Sequence, residues 1–483
     1  MCKLLLLLAA LAALLPAGQA RAQAVSFGPP TAYATTTASD WATCWLEMAD
    51  VNSDGRPDAV ALTLNYVTYA SQVAVLLGTG TGTLQAPVYY PSAGQGSKFL
   101  AVADLNADGK PDVVVADQFS AQVSVLLNTG TGTFQPAVSY ATGANTNPSE
   151  VAVADMNADG KPDLVVASLS SIVVLRGNGN GTFQAPTSYP VTSSANADHL
   201  AVADFTADGK PDVVTLGSGS TLLLLAGTGT GGLQAPVSYQ AGSNTIYGVA
   251  AADFNADGRP DVLTSGNSGV GVLLGSAGAA FQPFTFYPLA GVVTVTNARA
   301  ADVNNDNRPD VLTTNYALSA TASVLPGTGT GTLQAAATFT LGPANSQPSR
   351  VAAADLNADG RPDLLTANLS TNTLSVLLNT TLLAARAALP GGQAQLIPNP
   401  ADAGTTTVAL TGLPAGVQRV QATLRDATGR EVARTELAAR QGTARALLPT
   451  AGLAPGLYLV QLAGYDAAGD VAGWLPTQRL LLR

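Results

Sequence analysis

A nine-residue string recurs seven times along the chain and constrains its fold more than any other feature. The string follows the pattern Asp-x-Asn-x-Asp-Gly-x-Pro-Asp with two single departures, and successive copies begin 49 to 54 residues apart. A near-constant period of this length indicates a repeat architecture in which each unit packs against its neighbours. The copies occupy residues 50–58, 104–112, 155–163, 204–212, 253–261, 302–310 and 355–363.

Each copy stands among the same short apolar segments. LAVA (100–103) precedes the second copy, and DVVVAD (112–117) begins at its last residue. The alternating segment QVSVLL (122–127) comes next. A Gly-Thr-rich turn, NTGTG (128–132), and a strand of the form Phe/Leu-Gln-x-Pro, here FQPA (134–137), complete the unit. Four short strands joined by tight turns are typical of a propeller blade. The sequence therefore predicts an all-β fold, a seven-bladed β-propeller.

The ends of the repeat array predict that the ring closes. After the seventh copy the strand TLSVLL (373–378) is present, but the Gly-Thr turn and the last strand are missing. The segment VSFGPPTAY (25–33) matches the pattern of that missing strand, as in FQAPTSY (183–189). We expect it to complete the last blade and to leave no open sheet edge, so that the propeller spans 25–380.

The repeated string places oxygen atoms where a calcium loop needs them. Carboxylate or amide oxygens stand at positions 1, 3, 5 and 9, position 7 offers its backbone carbonyl, and Gly at position 6 allows a sharp turn. Three carboxylates packed this closely repel one another unless a cation lies among them. The alternative is a plain turn, because Asp, Asn and Gly also favour turns. We predict one Ca²⁺ ion in each of the seven loops.

The predicted ligands take positions 1, 3, 5, 7 and 9 of each loop. Thr206 replaces Asn at position 3 of the fourth loop, and its hydroxyl can still bind a cation. Asn307 replaces Gly at position 6 of the sixth loop, where Asn tolerates a left-handed backbone. The ligands are Asp50, Asn52, Asp54, Arg56, Asp58, Asp104, Asn106, Asp108, Lys110, Asp112, Asp155, Asn157, Asp159, Lys161, Asp163, Asp204, Thr206, Asp208, Lys210, Asp212, Asp253, Asn255, Asp257, Arg259, Asp261, Asp302, Asn304, Asp306, Arg308, Asp310, Asp355, Asn357, Asp359, Arg361 and Asp363.

These loops and their flanking strands resemble the FG-GAP/VCBS repeat family, whose calcium loops lie in the blades of integrin-like propellers. The resemblance covers residues 25–380. It implies a seven-bladed propeller with a calcium ion in the turn between the first two strands of each blade. It also implies a role in extracellular binding and adhesion. Some members are attached to enzymes, so the repeat alone leaves the activity open.

Both ends of the chain predict export. Residues 1–24 begin with Met1, Cys2 and Lys3, continue through an apolar run to Leu15 and end in small residues, a pattern typical of a cleaved signal peptide. The apolar run is shorter than a membrane span requires, so we expect no transmembrane span. Residues 381–396 are interpreted as a linker. Residues 397–483 carry alternating apolar positions and turn signals that favour a small β-sandwich.

The segment 397–483 resembles the C-terminal sorting domain of the type IX (Por) secretion system. The matching features are Pro398-Asn399-Pro400, Asp426–Gly429, Gly456-Leu457-Tyr458 before a late strand, and the basic-apolar end Arg479–Arg483. The resemblance implies export through the outer membrane of a Gram-negative cell, with the type IX secretion machinery as a partner. Release from the surface or attachment to it would follow. An ordinary fibronectin-like module is the alternative.

Most of the few charges lie in the loops. Charged residues make up 11% of the chain, with 32 acids against 22 bases and a formal net charge of −10. Residues 25–380 hold 26 acids and 11 bases, and 21 of those acids lie in the loops, so the 14 positive charges of seven bound Ca²⁺ ions would neutralise almost all of the excess there. The balance excludes a nucleic-acid-binding surface, which requires clustered basic residues.

Candidates for catalysis are few. His199 is the only histidine, and we interpret it as a blade-edge residue, because a catalytic triad or zinc site needs further partners. Cys44 is interpreted as a small buried residue in a strand. Glu47 and Glu150, near the starts of inner strands, are candidates for the mouth of the propeller channel. Trp41 and Trp45 could line a sugar site, but we interpret them as core residues. No catalytic residue is therefore assigned.

The sequence thus predicts a secreted or cell-surface calcium-binding β-propeller followed by a β-sandwich sorting domain. Its expected role is non-enzymatic binding or adhesion toward an extracellular glycan or protein ligand. The alternative is an extracellular polysaccharide-degrading enzyme, a lyase or hydrolase, on the same scaffold. A purely structural envelope component is a third possibility.

Overall fold

The computed structural model divides into two compact units, Met1–Thr381 and Leu382–Arg483. No helix among its described residues is long and apolar enough to cross a membrane. The predicted signal peptide 1–24, the hairpin Asp426–Gly429, Pro398 and Pro400 lie outside the described residues. The structure describes residues 25–482 except 37, 145, 192–198, 243–244, 277–279, 317–319, 343–345, 382–391, 398, 400–405, 426–430, 452 and 467–470.

The first unit consists of short strands, with one 3₁₀ turn (Gln118–Ser120). In chain order the strands are β1 (Thr31–Ala34), β2 (Trp41–Ala49), β3 (Asp58–Asn65), β4 (Ala70–Leu76), β5 (Val88–Gln95), β6 (Ser97–Ala103), β7 (Asp112–Asp117), β8 (Gln122–Leu126), β9 (Val138–Ala141), β10 (Pro148–Ala154), β11 (Asp163–Ser168), β12 (Ser171–Leu175), β13 (Thr187–Pro190), β14 (Leu200–Ala203), β15 (Asp212–Leu216), β16 (Thr221–Leu225), β17 (Val237–Gln240), β18 (Ile246–Ala252), β19 (Asp261–Gly266), β20 (Gly269–Leu273), β21 (Gly275–Ser276), β22 (Ala280–Phe281), β23 (Thr285–Pro288), β24 (Thr294–Ala301), β25 (Asp310–Tyr316), β26 (Thr321–Leu325), β27 (Ala337–Thr340), β28 (Pro348–Ala354), β29 (Asp363–Asn368) and β30 (Thr373–Leu377).

These strands form seven four-stranded antiparallel sheets within the described part of the first unit. Sheets 1 to 6 have the orders β2-β3-β4-β5, β6-β7-β8-β9, β10-β11-β12-β13, β14-β15-β16-β17, β18-β19-β20-β23 and β24-β25-β26-β27. Sheet 7 has the order β1-β30-β29-β28, and β21 and β22 pair as a separate small sheet. The first unit is therefore all-β and built from repeated four-stranded sheets, an arrangement consistent with a β-propeller.

The N-terminal strand completes the last sheet. β1 pairs antiparallel with β30, with Thr31 opposite Val376 and Ala34 opposite Thr373, and Phe27 forms a further bridge with Asn379. The sequence prediction that the N-terminal segment supplies the missing strand is therefore confirmed. We call the strand that precedes the Asp loop the first strand of its sheet, which in sheet 7 is β28. Each first strand contacts the first strand of the next sheet, and β28 contacts β2, so the first strands stand in a closed circle.

The strand order gives the first unit two distinct ends. Each Asp loop joins the first strand of a sheet to the second, and each Gly-Thr turn joins the third strand to the fourth, so both lie at one end, here called the loop end. The first strands begin at the other end, where the turns between second and third strands also lie. We call this the mouth end.

Small apolar residues explain the packing of the sheets. The second and third strands, such as β7 and β8, are almost wholly buried, because neighbouring sheets cover both of their faces. The fourth strands, such as β9, are mostly exposed. A fully buried Val or Leu contributes about 1.5–3 kcal/mol relative to an exposed one, so the second and third strands of each sheet supply most of the core.

The second unit is also all-β. Its strands form a three-stranded sheet, β31-β32-β35, and a four-stranded sheet, β34-β33-β36-β37, which share one apolar core. β31 lies within the segment interpreted as linker, and Gly456-Leu457-Tyr458 begin β36 rather than precede it. The strands are β31 (Gln393–Ile397), β32 (Thr407–Thr411), β33 (Arg419–Arg425), β34 (Glu431–Ala438), β35 (Ala444–Leu447), β36 (Gly456–Tyr465) and β37 (Val471–Leu482).

Candidate functional site

The carboxylate at position 1 of each Asp loop organises the loop backbone. In the first loop Asp50 Oδ1 accepts the N–H of Asp54 at 3.0 Å, and Asp50 Oδ2 accepts the N–H of Gly55 at 2.7 Å. The same pair of bonds recurs in the other six loops. Charge-assisted bonds of this kind are stronger than neutral ones, so the loop is held in shape by its own first residue.

Positions 3 and 5 add a second layer of bonds. Asn52 Oδ1 accepts the N–H of Asp54 at 3.0 Å, and Asn52 Nδ2 donates to Asp54 Oδ2 at 3.1 Å. Asp54 Oδ1 accepts the N–H of Arg56 at 2.9 Å. Each of these oxygens has a further lone pair. Side chains at positions 1, 3 and 5 therefore retain acceptor capacity after the loop has formed.

The backbone turns sharply at two positions of every loop. Position 6 has a positive φ, +80° at Gly55 and +63° at Asn307, which confirms the prediction that Asn suits this turn. Position 4 also has a positive φ, between +56° and +59°, although it is never glycine. Position 4 was not predicted, because it is Ala in five copies and Ser in a sixth, and neither residue signals a left-handed backbone; only Asn305 does. The residues are Ser53, Ala107, Ala158, Ala207, Ala256, Asn305 and Ala358.

The aspartate at position 9 faces the interior and holds two strands together. Asp112 is wholly buried, and its carboxylate accepts the N–H of Leu105 at 3.0 Å and the N–H of Asn128 at 2.7 Å. The first bond ties it to position 2 of its own loop, and the second ties it to the start of the Gly-Thr turn. All seven position-9 carboxylates are buried and accept two backbone N–H groups, one from their own loop and one from the segment after the third strand; in the fourth loop the first donor is Thr206 at position 3.

Burial raises the pKa of these interior carboxyl groups. Desolvation is the main cause, and repulsion from the carboxylates at positions 1 and 5 adds to it, while the two backbone N–H groups oppose it. The pKa of Asp310 rises to about 7 and that of Asp363 to about 6. The repulsion among carboxylates is the cost that a bound cation would offset.

The basic residue at position 7 pairs with the acid at position 5 in six loops. Lys210 Nζ lies 2.9 Å from Asp208 Oδ2, and Arg259 Nη2 lies 2.7 Å from Asp257 Oδ2. The hydrogen bond from Lys210 lowers the pKa of Asp208. Because these pairs are largely exposed, they contribute little to stability. The other pairs are Arg56–Asp54, Lys110–Asp108, Lys161–Asp159 and Arg361–Asp359.

The loops are also bonded from sheet to sheet. The N–H of Gly132 in the Gly-Thr turn of sheet 2 donates to the carbonyl of Val51 in the first loop at 3.1 Å. The turns of sheets 1, 3, 4 and 6 make the same bond to the loop of the preceding sheet. In sheet 7, Asn379 Nδ2 donates to the carbonyl of Val303 at 2.7 Å. A change in loop conformation would therefore be felt by the neighbouring sheet.

The donor set of the loops fits a hard cation. It consists only of carboxylate, amide, hydroxyl and carbonyl oxygens, which Ca²⁺ prefers over nitrogen and sulfur. The Thr206 hydroxyl oxygen, at position 3 of the fourth loop, is buried and makes no hydrogen bond of normal geometry. Among the described residues, no three His, Cys, Asp or Glu side chains are gathered into a group that could hold a metal ion. Calcium binding therefore remains a prediction.

A compact cluster of charged and aromatic side chains lies on the first strands, between the mouth end and the loop end. Arg299 forms a two-bond ion pair with Glu47, and Arg350 Nη2 lies 3.3 Å from Glu47 Oε1. The Arg350 guanidinium lies 3.5 Å from the centre of the Trp45 ring, which stacks on Phe99 with centroids 3.7 Å apart. These side chains come from the first strands of sheets 1, 2, 6 and 7, so they meet across the circle of first strands. Trp45 is buried, as the core-packing interpretation predicts.

Glu47 lies farther along its strand than the sequence analysis placed it. β2 begins at Trp41 and contains a bulge between Thr43 and Trp45, so Glu47 is near the end of this nine-residue strand rather than its start. Cys44 occupies the bulge and is partly buried. Desolvation raises the pKa of its thiol to about 12, so it is an un-ionised, unreactive thiol at neutral pH.

His199 pairs with Glu150 on the wall of a pocket at the mouth end. His199 Nδ1 lies 2.7 Å from Glu150 Oε2, which also accepts the N–H of Leu200 at 3.2 Å. Burial raises the pKa of Glu150, and the attraction of His199 opposes this shift. The pocket has a volume of about 480 Å³, and its lining includes His199, Tyr247 and Thr296 from sheets 4, 5 and 6. Because Glu150 and His199 are 49 residues apart, no local motif marks the pair.

Comparison with known proteins shows the family of the first unit. The model of the FG-GAP-like repeat matches six overlapping segments, each covering two successive Asp loops in whole or in part, and together they span most of the chain. The chain therefore belongs to the family of proteins with FG-GAP-like repeats. The matched segments are residues 50–115, 104–166, 155–215, 205–264, 253–313 and 302–366.

The other comparisons add little. No curated protein matches the chain. One similar solved structure is that of an Agrocybe aegerita lectin, described for its specific recognition of non-reducing terminal N-acetylglucosamine. It is 21% identical, the match covers 68% of this chain and 86% of that chain, and the TM-score is 0.47.

Proposed function

We propose that this protein is a secreted or cell-surface binding protein whose first unit is a calcium-loaded seven-bladed β-propeller. The observation that carries the proposal is the sevenfold Asp loop, with its oxygen-only donor set at the edge of seven four-stranded sheets. The closed circle of first strands and the pairing of β1 with β30 support seven blades. In this proposal each loop holds one Ca²⁺ through positions 1, 3, 5, 7 and 9.

The proposed role is non-enzymatic binding or adhesion toward an extracellular glycan or protein ligand. Calcium would stiffen the loops and, through the bonds between loops and neighbouring sheets, the circle as a whole. A rigid circle suits recognition, because a preorganised surface loses less entropy on binding. The second unit, with its seven strands in two sheets, is proposed as a β-sandwich sorting domain of the type IX system, and residues 1–24 as the signal peptide.

Metal analysis and binding assays test the proposal. The mature chain, dialysed against buffered Ca²⁺, is expected to carry about seven ions, as one per loop requires. Glycan arrays and surface-protein pull-downs, run with Ca²⁺ and with chelator, are expected to show calcium-dependent binding. A chain that carries no Ca²⁺ at millimolar concentrations would contradict the calcium part. Removal of 397–483 is expected to stop export in a host with type IX secretion.

An extracellular polysaccharide lyase or hydrolase is the second candidate function. His199, which lines the pocket and pairs with buried Glu150, favours it, because a carboxylate that orients an imidazole is a common arrangement for a general base. Product release from any polysaccharide that binds would identify an enzyme. His199→Gln is then expected to abolish turnover, whereas a pure binding protein releases no product in either form.

A further inference from the structure

One position of the first strands carries a different residue in each of the seven copies of the repeat. The residue immediately before each Asp loop is Ala in all seven copies. Five residues before each loop, by contrast, all seven copies differ. In the order of the sheets these residues are Trp45, Phe99, Glu150, His199, Gly248, Asn297 and Arg350.

The bulges in the first strands explain how this position is presented. Six of the seven first strands contain a register shift immediately before it, as between Val295 and Asn297 in β24. A bulge re-aims the side chains around it and is common next to functional sites. The varied side chains then contact one another from sheet to sheet, as Trp45 does with Phe99 and Glu150 with His199. We call this set the mouth ring.

Half of the mouth ring is filled by its own side chains. Arg350, Trp45 and Phe99 stack in sequence across sheets 7, 1 and 2, and Glu47 with Arg299 closes the space beside them. The Arg350 side chain is only 6% exposed. This half has no room for a ligand.

The other half of the ring is open. Sheet 5 contributes Gly248, which adds no side chain to the ring; an added Cβ would lie 2.7 Å from Ser265 Oγ and would require that hydroxyl to rotate. The pocket of about 480 Å³ lies on this side, with His199, Tyr247 and Thr296 in its lining. This volume falls within the range of small-ligand sites, about 300–1,000 Å³.

The described lining of the pocket mixes apolar surface with hydroxyl groups, and His199 is its only titratable basic side chain. Thr296 Oγ1 donates to the carbonyl of Pro348 at 3.0 Å and lies 2.9 Å from the Thr314 hydroxyl, which can donate to it. Thr294 Oγ1 donates to Asn267 Oδ1 at 3.4 Å. A hydroxyl has two acceptor lone pairs, so Thr296 keeps one beyond its bond with Thr314, and Thr294 keeps its acceptor capacity toward a ligand hydroxyl. No Lys, Arg, Asp or Glu lines the described pocket, so a charged ligand would lose its hydration without a counter-charge.

Aromatic and aliphatic groups complete the wall. Tyr247 is 37% exposed, and Ile246 and Leu216 lie beside it in the lining. A partly exposed aromatic ring beside hydroxyl groups offers an apolar face together with hydrogen-bond partners. Sugar rings present both a C–H face and several hydroxyls, and therefore match this combination.

We propose that this mouth pocket binds a neutral sugar residue of an extracellular glycan. The inference rests on the proposed binding function and gives that function a site and a ligand class. His199, held by buried Glu150, is a positioning group in the wall, Tyr247 supplies the stacking face, and Thr294 and Thr296 accept hydroxyl protons. The site lies at the end of the unit opposite the Asp loops.

The test uses the full mature chain with Ca²⁺ and an array of neutral and uronate-bearing oligosaccharides. The neutral oligosaccharide that binds most tightly is then titrated by calorimetry into the natural chain and into two variants. Tyr247→Ala removes the stacking face, and Ser218→Trp fills the pocket from an exposed turn residue. Each is expected to weaken binding by about tenfold or more, equivalent to about 1.4 kcal/mol.

Two matched controls separate loss of the pocket from loss of the fold. Tyr316→Ala removes an exposed tyrosine of sheet 6, and Ser170→Trp places the same bulk in the corresponding turn of sheet 3. Neither residue lines the described pocket. Both controls are expected to bind as the natural chain does.

Each other outcome overturns a defined statement. Glycan binding that survives both Tyr247→Ala and Ser218→Trp overturns the mouth pocket but leaves the binding function standing. Selective binding of uronate-bearing oligosaccharides that the two variants abolish overturns the neutral ligand class. Absence of any glycan binding overturns the inference, while the proposed function is then judged separately by the protein pull-downs and metal content.

Discussion

At the loop end of the first unit the seven copies are nearly identical, whereas toward the mouth end one position of the first strands differs in every copy. The loop end repeats the same carboxylates, the same left-handed positions and the same preceding alanine. The mouth end replaces one register position with seven different side chains. The loops must repeat because each one closes by local backbone bonds. The mouth ring takes no part in those bonds and is free to vary, so it is the natural place for recognition.

Chelation of calcium is expected to have the largest effect and would break the comparison at the loop end. With a dissociation constant of about 10⁻⁴–10⁻³ M per site and about 10 mM Ca²⁺, each site adds about 1.4–2.7 kcal/mol to the free energy of unfolding. Seven sites in one cooperative unit would add about 10–19 kcal/mol. Melting temperatures in Ca²⁺ and in excess EGTA measure this difference. An unchanged melt in a chain shown to be metal-free would remove calcium from the proposal.

Two substitutions within the second loop separate its interior acid from its outer acid. Asp112→Ala leaves the N–H groups of Leu105 and Asn128 without an acceptor, at about 1–3 kcal/mol each. It should therefore lower the free energy of unfolding by about 2–6 kcal/mol even in EGTA. Asp108→Ala, the exposed control, should change it by less than about 0.5 kcal/mol in EGTA. Equal losses in EGTA would contradict the division of roles.

Asp117→Asn tests the mouth end, where β7 ends, through the pH dependence of the free energy of unfolding. Burial raises the pKa of Asp117, and the hydroxyls of Ser97 and Ser124 oppose the shift without providing a positive charge. A raised folded-state pKa means that the natural chain loses stability as pH rises from the unfolded-state value through the folded-state value. The deficit of the variant should therefore be larger at pH 4 than at pH 8. Denaturation at both pH values in EGTA measures it, and a pH-independent deficit would count against the raised pKa.

The smallest effect concerns the left-handed position 4. Ala107→Gly removes a left-handed penalty of about 1–2 kcal/mol and adds an entropic cost of about 0.5–1 kcal/mol. A net gain of about 0.5–1 kcal/mol is expected. Ala103→Gly, the same change in the adjoining strand, should destabilise by about 0.5–1 kcal/mol. Opposite signs in urea titrations support the strain, and a loss in both variants would contradict it.

Much of the fold was accessible from the sequence because its signals are local and repeated. The strand pattern, the Gly-Thr turns and the N-terminal strand that pairs with β30 all follow from comparing copies of one unit. The conformation of Asn307 was also predicted correctly, because it depends on one residue. The interior role of Asp112 was not predicted, since its second bond is to Asn128 in a different turn. The calcium ligands remain a prediction.

The candidate site was less accessible. The pairs Glu47–Arg299 and Glu150–His199 join residues 252 and 49 positions apart, and the sequence analysis gave Arg299 and Arg350 no role. His199 was interpreted as a blade-edge residue because the chain has no second histidine for a zinc site or catalytic triad. The pocket wall that His199 shares with Tyr247 and Thr296 exists only when sheets 4, 5 and 6 stand side by side.

The sequence alone determined the repeat, its seven copies, the strand pattern of each unit and the acidic loops that end the first strands. These depend on hydrogen bonds and turns within about 50 residues, which a repeated string states directly. Only the tertiary structure decided which side chains meet at the mouth end, and that half of the mouth ring is filled while the other half holds a pocket. Contacts between first strands of different sheets depend on closure of the circle, and no local sequence pattern shows which residues the closed circle brings together.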